Sequence, residues 1–221
     1  MTDSKYTLGL IFYPGMTALD IIGPQQVLSP LPGIETYRIW KTLDPITTDD
    51  GMVVLPDTTF DNCPHLDIIC IGGGIGQAAV EDDPELLAFL RKQGGTAKYV
   101  TSVCGGSVFL AKAGLLEGYR AAIHWAGREQ LTKLGVEAGN GRVVVDRNRI
   151  TGGGVTAGID FGLTLTSILF GEEIAKITQL LLEYNPAPPF DTGSPEKAGP
   201  ELVEKAMLFM QQMIPAPVGA K

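Results

Sequence analysis

The sequence has few of the residues that build disulfide frameworks or metal sites. Its 221 residues include three cysteines and two histidines. An odd number of cysteines without metal-type spacing argues against a disulfide framework and suits a reducing, cytoplasmic compartment. Two histidines and scattered acidic residues form no metal-binding pattern. We therefore expect a cytoplasmic protein without a metal or an organic cofactor.

Positive charge and long apolar runs are also scarce. The chain has 17 Lys and Arg residues against 25 Asp and Glu residues, and a formal net charge of -8. This balance argues against a broad nucleic-acid-binding surface. No apolar stretch is long enough to cross a membrane, and the first residues lack the apolar core of a signal peptide. We expect neither nucleic acid nor membrane as a partner.

Apolar and turn-forming segments alternate along most of the chain, which favours an α/β fold. A hydrophobic content of 44% is ordinary for a globular protein, and we expect a single domain over residues 1–221. Repeated strand–helix alternation predicts a doubly wound, mostly parallel sheet flanked by helices. The pattern predicts strands at 6–13, 36–42, 66–71 and 99–102, helices at 17–28, 84–93 and 107–113, a hairpin at 142–151, a helical stretch broken at Gly171, and a Pro/Gly-rich segment before a helix at 201–213.

Cys104 is the most informative residue of the chain. It follows a β-branched strand and precedes Gly105, Gly106 and a helical pattern. A sharp strand-to-helix turn exposes its central side chain, as in nucleophile elbows, although the Gly-x-Ser-x-Gly spacing is absent. The dipole of the following helix is expected to favour the thiolate. We therefore expect Cys104 to be a nucleophile.

Three glycine-rich segments follow predicted strands. They are residues 72–74, 105–106 and 152–154. Ligands of parallel sheets bind beyond the carboxyl ends of the strands, where exposed backbone N–H groups stabilise negative charge. The segment from Gly152 to Ala157 also fits a relaxed dinucleotide-binding fingerprint. The acidic residues that follow, Glu172 and Glu173, lie between two helical stretches, which disfavours that interpretation.

Other polar candidates remain open on sequence alone. Asp20 lies on an apolar stretch after the first strand, and the sequence favours two interpretations equally. It is either a first-turn acid stabilised by the helix dipole, or a partly desolvated carboxyl group with a raised pKa that exchanges a proton with Cys104. His124 could act as a base, but no orienting acid is evident, and a structural role is favoured. Cys70 lies in an apolar strand and is expected in the core. Cys63 precedes a proline in a loop and has no evident charged partner, and His65 lies at a strand entrance, where a structural or solvated histidine is expected.

Several motifs together resemble the ThiJ/PfpI superfamily and, within it, the isonitrile hydratases. The superfamily has a flavodoxin-like fold of the class I glutamine-amidotransferase type. The resemblance extends over nearly the whole chain, and its last two motifs are the most specific. The motifs are Leu19-Asp20 with Gly23-Pro24, Leu66–Ile71, Tyr99–Cys104, His124-Trp125, Thr151–Phe161 and Leu182–Phe190.

The resemblance implies a reaction and a set of site residues. Cys104 would be the nucleophile and Asp20 the general acid/base in the hydration of a small-molecule isonitrile to an N-substituted formamide through a thioimidate. No cofactor is required, and relatives are homodimers. Backbone groups implied to contact substrate or an oxyanion belong to Gly73, Gly74 and Gly105, and supporting roles fall to Gly153, Val155 and Tyr184.

The chain departs from the hydratase pattern at two positions, and other branches of the same fold have different functions. Gly105 replaces a threonine and Gly72 a proline, which bears on rate and substrate range. Peptidase and glyoxalase-like branches place a histidine directly after the cysteine, and amidotransferases need a histidine later in the chain than His124. The sensory domain of a transcription regulator, or a redox or stress sensor based on Cys104, stays open as the alternative.

Overall fold

The computed structural model describes residues 5–213, and the chain divides into two compact units after Glu183. The strands all lie in the first unit: β1 (Tyr6–Ile11), β2 (Ile34–Trp40), β3 (Ile46–Thr47), β4 (Val53–Val54), β5 (Thr58–Thr59), β6 (Ile68–Ile71), β7 (Tyr99–Val103), β8 (Arg120–Ala121), β9 (Glu137–Ala138), β10 (Val143–Asp146) and β11 (Arg149–Gly152). Its helices are α1 (Ala18–Leu28), α2 (Gln77–Val80), α3 (Pro84–Gly94), α4 (Gly106–Lys112), α5 (Arg128–Lys133), α6 (Ala157–Phe170) and α7 (Glu172–Leu181), with a 3₁₀ turn at Trp125–Gly127.

One mostly parallel sheet organises the first unit. Its seven strands lie in the order β10-β11-β7-β6-β1-β2-β5, and within it only β10 and β11 pair antiparallel. The order β2-β1-β6-β7-β11 is that of a flavodoxin-like fold. The predicted doubly wound α/β architecture is therefore confirmed. Two short pairs, β3–β4 and β8–β9, lie outside this sheet.

Helices cover both faces of the central strands. Helix α1 packs against α6 and α6 against α7, whereas α4 packs against both α3 and α5. Strand β7 contacts α4 and α6, and all four residues of β6 are buried. A strand that is covered on both faces has a continuous run of apolar residues instead of alternating apolar and polar residues. This explains why Ile68–Ile71 carries no period-two pattern.

The strand register aligns the ends of the central strands at one edge. Ile11 pairs with Ile71, and Ile71 pairs with Ser102. Val103 of β7 in turn pairs with Gly152 of β11. The loops that follow these four strands therefore begin side by side. In doubly wound sheets this edge, at the switch between β1 and β6, is where ligands bind.

Close contact between α1 and α6 fixes the position of α1. A Cβ on Gly158 would lie 2.9 Å from Pro24 Cδ, and one on Gly162 would lie 2.8 Å from Val27 Cβ. Any larger side chain on this face of α6 would push the helices apart. The glycines therefore hold the helix that carries Asp20 close to the sheet edge.

Most predicted elements are confirmed, with shifted bounds. The strand predicted at 36–42 is observed two residues earlier, and the hairpin and the break at Gly171 are present. The sequence did not reveal β3, β5, β8 and β9, because two residues carry no periodicity. It also missed α2 and α5, which have four and six residues.

The second unit begins at Tyr184, and its described part contains α8 (Pro195–Ala198) and α9 (Pro200–Met213). Helix α9 confirms the helix predicted at 201–213. The prediction of a single domain over residues 1–221 stays a prediction. No helix within residues 5–213 combines the length and the hydropathy that crossing a bilayer requires.

Phe109→Ala should lower the free energy of unfolding by about 3–5 kcal/mol, since a fully buried aromatic side chain is replaced by a cavity. Phe109 lies in α4 and its ring packs 5.2 Å from that of Tyr13. Urea denaturation measures the change. Leu43→Ala is the control, because Leu43 is 55% exposed and its truncation should alter stability by less than about 0.5 kcal/mol. Equal effects of the two substitutions would contradict this account of the core.

Candidate active site

Cys104 occupies a tight turn between β7 and α4. Its φ of 58° is left-handed, a conformation that costs a non-glycine residue on the order of 1–3 kcal/mol and that clusters at functional sites. The Cys104 N–H donates to the carbonyl oxygens of Gly153 at 2.7 Å and Gly152 at 3.1 Å. A Cβ on Gly106 would lie 2.0 Å from Ile71 O, so the turn also needs glycine there. The predicted strand–turn–helix elbow is confirmed.

Asp20 reaches the same edge of the sheet from the first turn of α1. Its side chain is fully buried, and Oδ2 accepts a hydrogen bond from the Gly73 N–H at 2.7 Å. The loops after β1 and β6 are joined by two backbone bonds. Thr17 N–H donates to Gly73 O at 2.9 Å, and Gly76 N–H donates to Gly15 O at 2.8 Å. These bonds hold the start of α1 against the glycine segment.

The side chains of Cys104 and Asp20 influence each other's pKa. Their interaction lowers the pKa of Asp20 and raises that of Cys104. Asp20 Oδ1 is buried and has no hydrogen-bond partner within residues 5–213. Burial raises the pKa of Asp20 from 3.8 to about 7, although the hydrogen bond from Gly73 and the neighbouring thiol oppose the shift. The expectation that desolvation raises the pKa of this carboxyl is confirmed.

The thiol pKa moves in the direction opposite to the one expected from the helix dipole. Burial raises the pKa of Cys104, and the negative charge of Asp20 raises it further. The N–H groups of Gly105 and Val155 lower the thiol pKa, but by less than burial and Asp20 raise it. The expectation of a free thiolate is therefore wrong, because a seven-residue helix does not outweigh desolvation beside a carboxylate. Since two adjacent negative charges repel, the pair retains one shared proton over a wide pH range.

Tyr13 supports the acid through one peptide group. Its hydroxyl donates to Gly72 O at 3.2 Å, and the N–H of the same peptide, on Gly73, donates to Asp20 Oδ2. Burial raises the pKa of Tyr13, so the hydroxyl stays a neutral donor. Tyr13 was not among the site residues predicted from the sequence. Its position just after the carboxyl end of β1, the edge where ligands bind, is the sequence feature that could have indicated it.

The three glycine-rich segments converge on Cys104, as the strand order requires. Gly73 packs so closely on the elbow that a Cβ there would lie 2.4 Å from Gly105 N. The Gly73 N–H is engaged by Asp20, and Gly74 has a φ of 145°. Contacts of Gly73, Gly74 and Gly105 with substrate stay predictions. So do the supporting roles of Gly153 and Val155, which also meet the elbow, and of Tyr184, which lies in the second unit.

The other candidate residues cap a turn, lie in the core or lie near the surface, and none of them is placed in the site by the structure. His124 Nδ1 accepts from the Ala126 N–H at 3.3 Å and caps the 3₁₀ turn, and burial lowers its pKa. Cys70 is fully buried, as predicted, whereas Cys63 is half-buried and His65 is exposed. Among residues 5–213, no three His, Cys, Asp or Glu side chains cluster in a way that could hold a metal ion.

The structure does not place an acidic residue where the alternative dinucleotide site would need one. Glu172 lies at the start of α7 and forms an exposed ion pair with Lys176 at 2.6 Å. It does not follow a second parallel strand, where a ribose-binding carboxylate is expected. The strand before the glycines, β11, is half of the antiparallel hairpin. The fingerprint is therefore a turn that places Gly153 and Val155 beside Cys104.

Gly73→Ala should disrupt the site, because its Cβ would meet rigid backbone 2.4 Å away at Gly105. We expect slower alkylation of Cys104 by iodoacetamide and a lower melting temperature. Gly23→Ala is the matched control. Gly23 is also buried, but its Cβ would make an ordinary 3.5 Å contact with Ile159. Similar behaviour of the two variants would refute the requirement for glycine at 73.

Asp20→Asn should flatten the pH dependence of stability. The folded protein binds a proton at Asp20 up to a pH of about 7, whereas the unfolded chain releases it near 3.8, so stability falls as pH rises between these values. The full loss is about 4 kcal/mol by linkage. Urea denaturation between about pH 4 and 8 measures the slope.

The control for this experiment is Asp67→Asn. Hydrogen bonds from Thr7 and Lys98 outweigh partial burial and lower the pKa of Asp67, so its contribution to stability is lost only as pH falls below about 4. This variant should retain the wild-type slope at higher pH. A wild-type slope in Asp20→Asn would show that the carboxyl of Asp20 titrates normally.

Comparisons with known proteins agree with this geometry. A sequence profile of the DJ-1/PfpI family matches residues 7–168. The chain is 48% identical over 199 residues to isonitrile hydratase from Pseudomonas putida, which covers 90% of this chain and 87% of that protein. It is 32% identical over 190 residues to the HTH-type transcriptional regulator GbdR from Pseudomonas aeruginosa, covering 80% of this chain and 50% of the regulator.

A solved structure extends the likeness to the whole fold. A ThiJ/PfpI family protein from Pseudomonas syringae superposes with a TM-score of 0.90 at 43% sequence identity. The match covers 96% of this chain and 88% of that protein. The cysteine elbow, the flavodoxin-like strand order and these matches lead to one conclusion: the chain belongs to the DJ-1/PfpI family.

Proposed function

We propose that this protein is an isonitrile hydratase in which Cys104 is the nucleophile and Asp20 the general acid/base. The observation that carries the proposal is the placement of the partly buried Cys104 beside the fully buried Asp20 at the switch point of the sheet. The 48% identity to isonitrile hydratase from Pseudomonas putida supports the choice of substrate class. The proposed reaction converts an isonitrile, R–N≡C, and water to the formamide R–NH–CHO.

The first step adds the thiol across the terminal isonitrile carbon. The sulfur of Cys104 forms the S–C bond, and the proton of the pair passes to the same carbon through Asp20. The product is a thioimidate, R–N=CH–S, on Cys104. A carboxyl group with a pKa of about 7 is matched to this transfer, since an acid/base works best with a pKa near the operating pH. The raised thiol pKa is compatible with this step, because the proton leaves the sulfur as the bond forms.

The second step is hydrolysis of the thioimidate. A water oxygen attacks the imidate carbon while Asp20 accepts one proton from the water and passes it to the nitrogen. The tetrahedral adduct, R–NH–CH(OH)–S, then collapses to R–NH–CHO. The C–S bond breaks, and Cys104 recovers its proton. The N–H groups of Gly105 and Val155, which lower the pKa of the thiol, stabilise the departing thiolate.

Backbone groups of the glycine segments complete the proposed site. Gly74 has a left-handed backbone that turns the loop after β6 past the elbow, and we assign it to substrate contact. Gly153 supports the site by accepting the Cys104 N–H. The roles of Gly73 and Tyr184 toward substrate, assembly as a homodimer and a cytoplasmic location belong to the same proposal.

A sensory role is the second candidate, favoured by the match to a transcription regulator. The match to this chain spans 50% of the length of GbdR. Selective, reversible oxidation of Cys104 by mild peroxide, followed by mass spectrometry, would support a redox sensor. The raised thiol pKa disfavours it, because the thiolate is the form that peroxide oxidises.

Purified protein incubated with a simple alkyl isonitrile should release the corresponding formamide, measured by NMR. Cys104→Ala should lose activity by about 10³-fold or more, since the covalent route is removed. Asp20→Asn should lose about 10²–10⁴-fold, the usual contribution of a general acid/base. Cys63→Ser is the matched control and should keep the wild-type rate, because Cys63 lies in a loop near Gln93, outside the site.

Two results would overturn the proposal. The first is wild-type protein that releases no formamide from any simple alkyl or aryl isonitrile. The second is full activity of Cys104→Ala. A near-normal rate in Asp20→Asn would limit Asp20 to a structural role while leaving the cysteine as nucleophile.

A further inference from the structure

The residue after the nucleophile is glycine for a reason of space. Gly105 has φ −63° and ψ −11°, a right-handed helical conformation that any residue adopts. The backbone therefore does not require glycine at this position. A Cβ on Gly105 would, however, lie 2.0 Å from Gln77 Oε1 and 3.1 Å from Gln77 Cδ. The carboxamide of Gln77 occupies the volume that a side chain at 105 would need.

Two further contacts hold the Gln77 carboxamide in this place. Its Nε2 donates to Glu81 Oε2 at 2.9 Å, and Glu81 Oε1 pairs with Lys112 Nζ at 2.8 Å. The side chains of Glu81 and Lys112 are only 16% and 17% exposed. Because the amide nitrogen must face the Glu81 carboxylate, the amide oxygen must face Gly105. Lys112 lies in the last turn of α4, so this chain of contacts spans from α2 to the helix after the elbow.

We propose that Gln77 is a specificity-determining residue that limits the bulk of the electrophile reaching Cys104. The substrate class in this inference rests on the proposed function. The position of Gln77 at the site rests on its contact with Gly105. Gln77 is half-buried, and its carboxamide occupies the space next to Gly105 at the elbow. Shortening the side chain opens this space, and adding a side chain at 105 competes for it.

The first test compares a small and a bulky isonitrile. Gln77→Ala should raise the ratio of kcat/KM for tert-butyl isonitrile to that for methyl isonitrile by about tenfold, the discrimination that one or two methylene groups produce in a pocket. A merely structural role would lower both values together and leave the ratio unchanged. Gln130→Ala is the matched control, because Gln130 also donates to Glu81 but is not among the nearest neighbours of a Cβ at position 105. Its ratio should stay at the wild-type value.

The second test adds a side chain at position 105 and removes the competing one at position 77. Gly105→Ala should reduce kcat/KM by about tenfold or more, and Gln77→Ala in the same protein should restore most of the loss, since the two changes share one site. Full activity of Gly105→Ala, or no rescue in the double variant, would contradict the proposal. If Gly105→Ala does not fold, as judged by its melting curve, the substrate ratio of Gln77→Ala alone decides.

A third measurement separates this proposal from the hydratase assignment. Cys104 is alkylated with iodoacetamide or with the bulkier N-phenylmaleimide, and peptide mass spectrometry distinguishes it from Cys63. Gln77→Ala should raise the rate with the maleimide relative to iodoacetamide, whereas Gln130→Ala should not. An unchanged ratio overturns the role of Gln77 even if isonitriles are hydrated. A raised ratio upholds it even if wild-type protein hydrates none.

Discussion

The buried carboxyl of Asp20 governs the organisation of the site. A carboxyl group removed from water needs hydrogen bonds or a proton, and Asp20 has one strong bond from the Gly73 N–H and a thiol beside it. Removing the Gly73 bond would leave both oxygens without a backbone donor. The packing around it serves this geometry: glycine at 73 allows contact with Gly105, and Tyr13 fixes the peptide that carries the donor.

The same interaction changes the chemistry expected of Cys104. Helix dipoles and backbone N–H groups stabilise a thiolate, and both are present at the elbow. Desolvation beside Asp20 is stronger and raises the pKa values of both groups. In the proposed reaction, a pair that shares one proton supplies both the sulfur and the hydrogen that the isonitrile carbon must gain. Readiness for oxidation by peroxide would instead require the free thiolate.

The fold was largely predictable, because its strands are continuous apolar runs between glycine and proline turns. The elbow was predictable for a local reason: a β-branched strand, Cys104, two glycines and a helical pattern follow each other directly. Short elements such as β8 and α2 were not, since they depend on contacts distant in sequence. Gln77 belongs to α2, which explains why its place over Gly105 carried no sequence signal.

The sequence by itself determined the alternation of strands and helices, the elbow at Cys104 and the presence of a carboxyl group on the first helix. It left Asp20 undecided between a first-turn acid stabilised by the helix dipole and a chemical role, because 84 positions separate it from Cys104 along the chain. The tertiary structure decided where the two residues lie, because β6 between β1 and β7 brings the loop after β6 against both Asp20 and Gly105 of the elbow. It also decided the direction of the pKa shifts, since burial and charge proximity arise only when distant segments pack together.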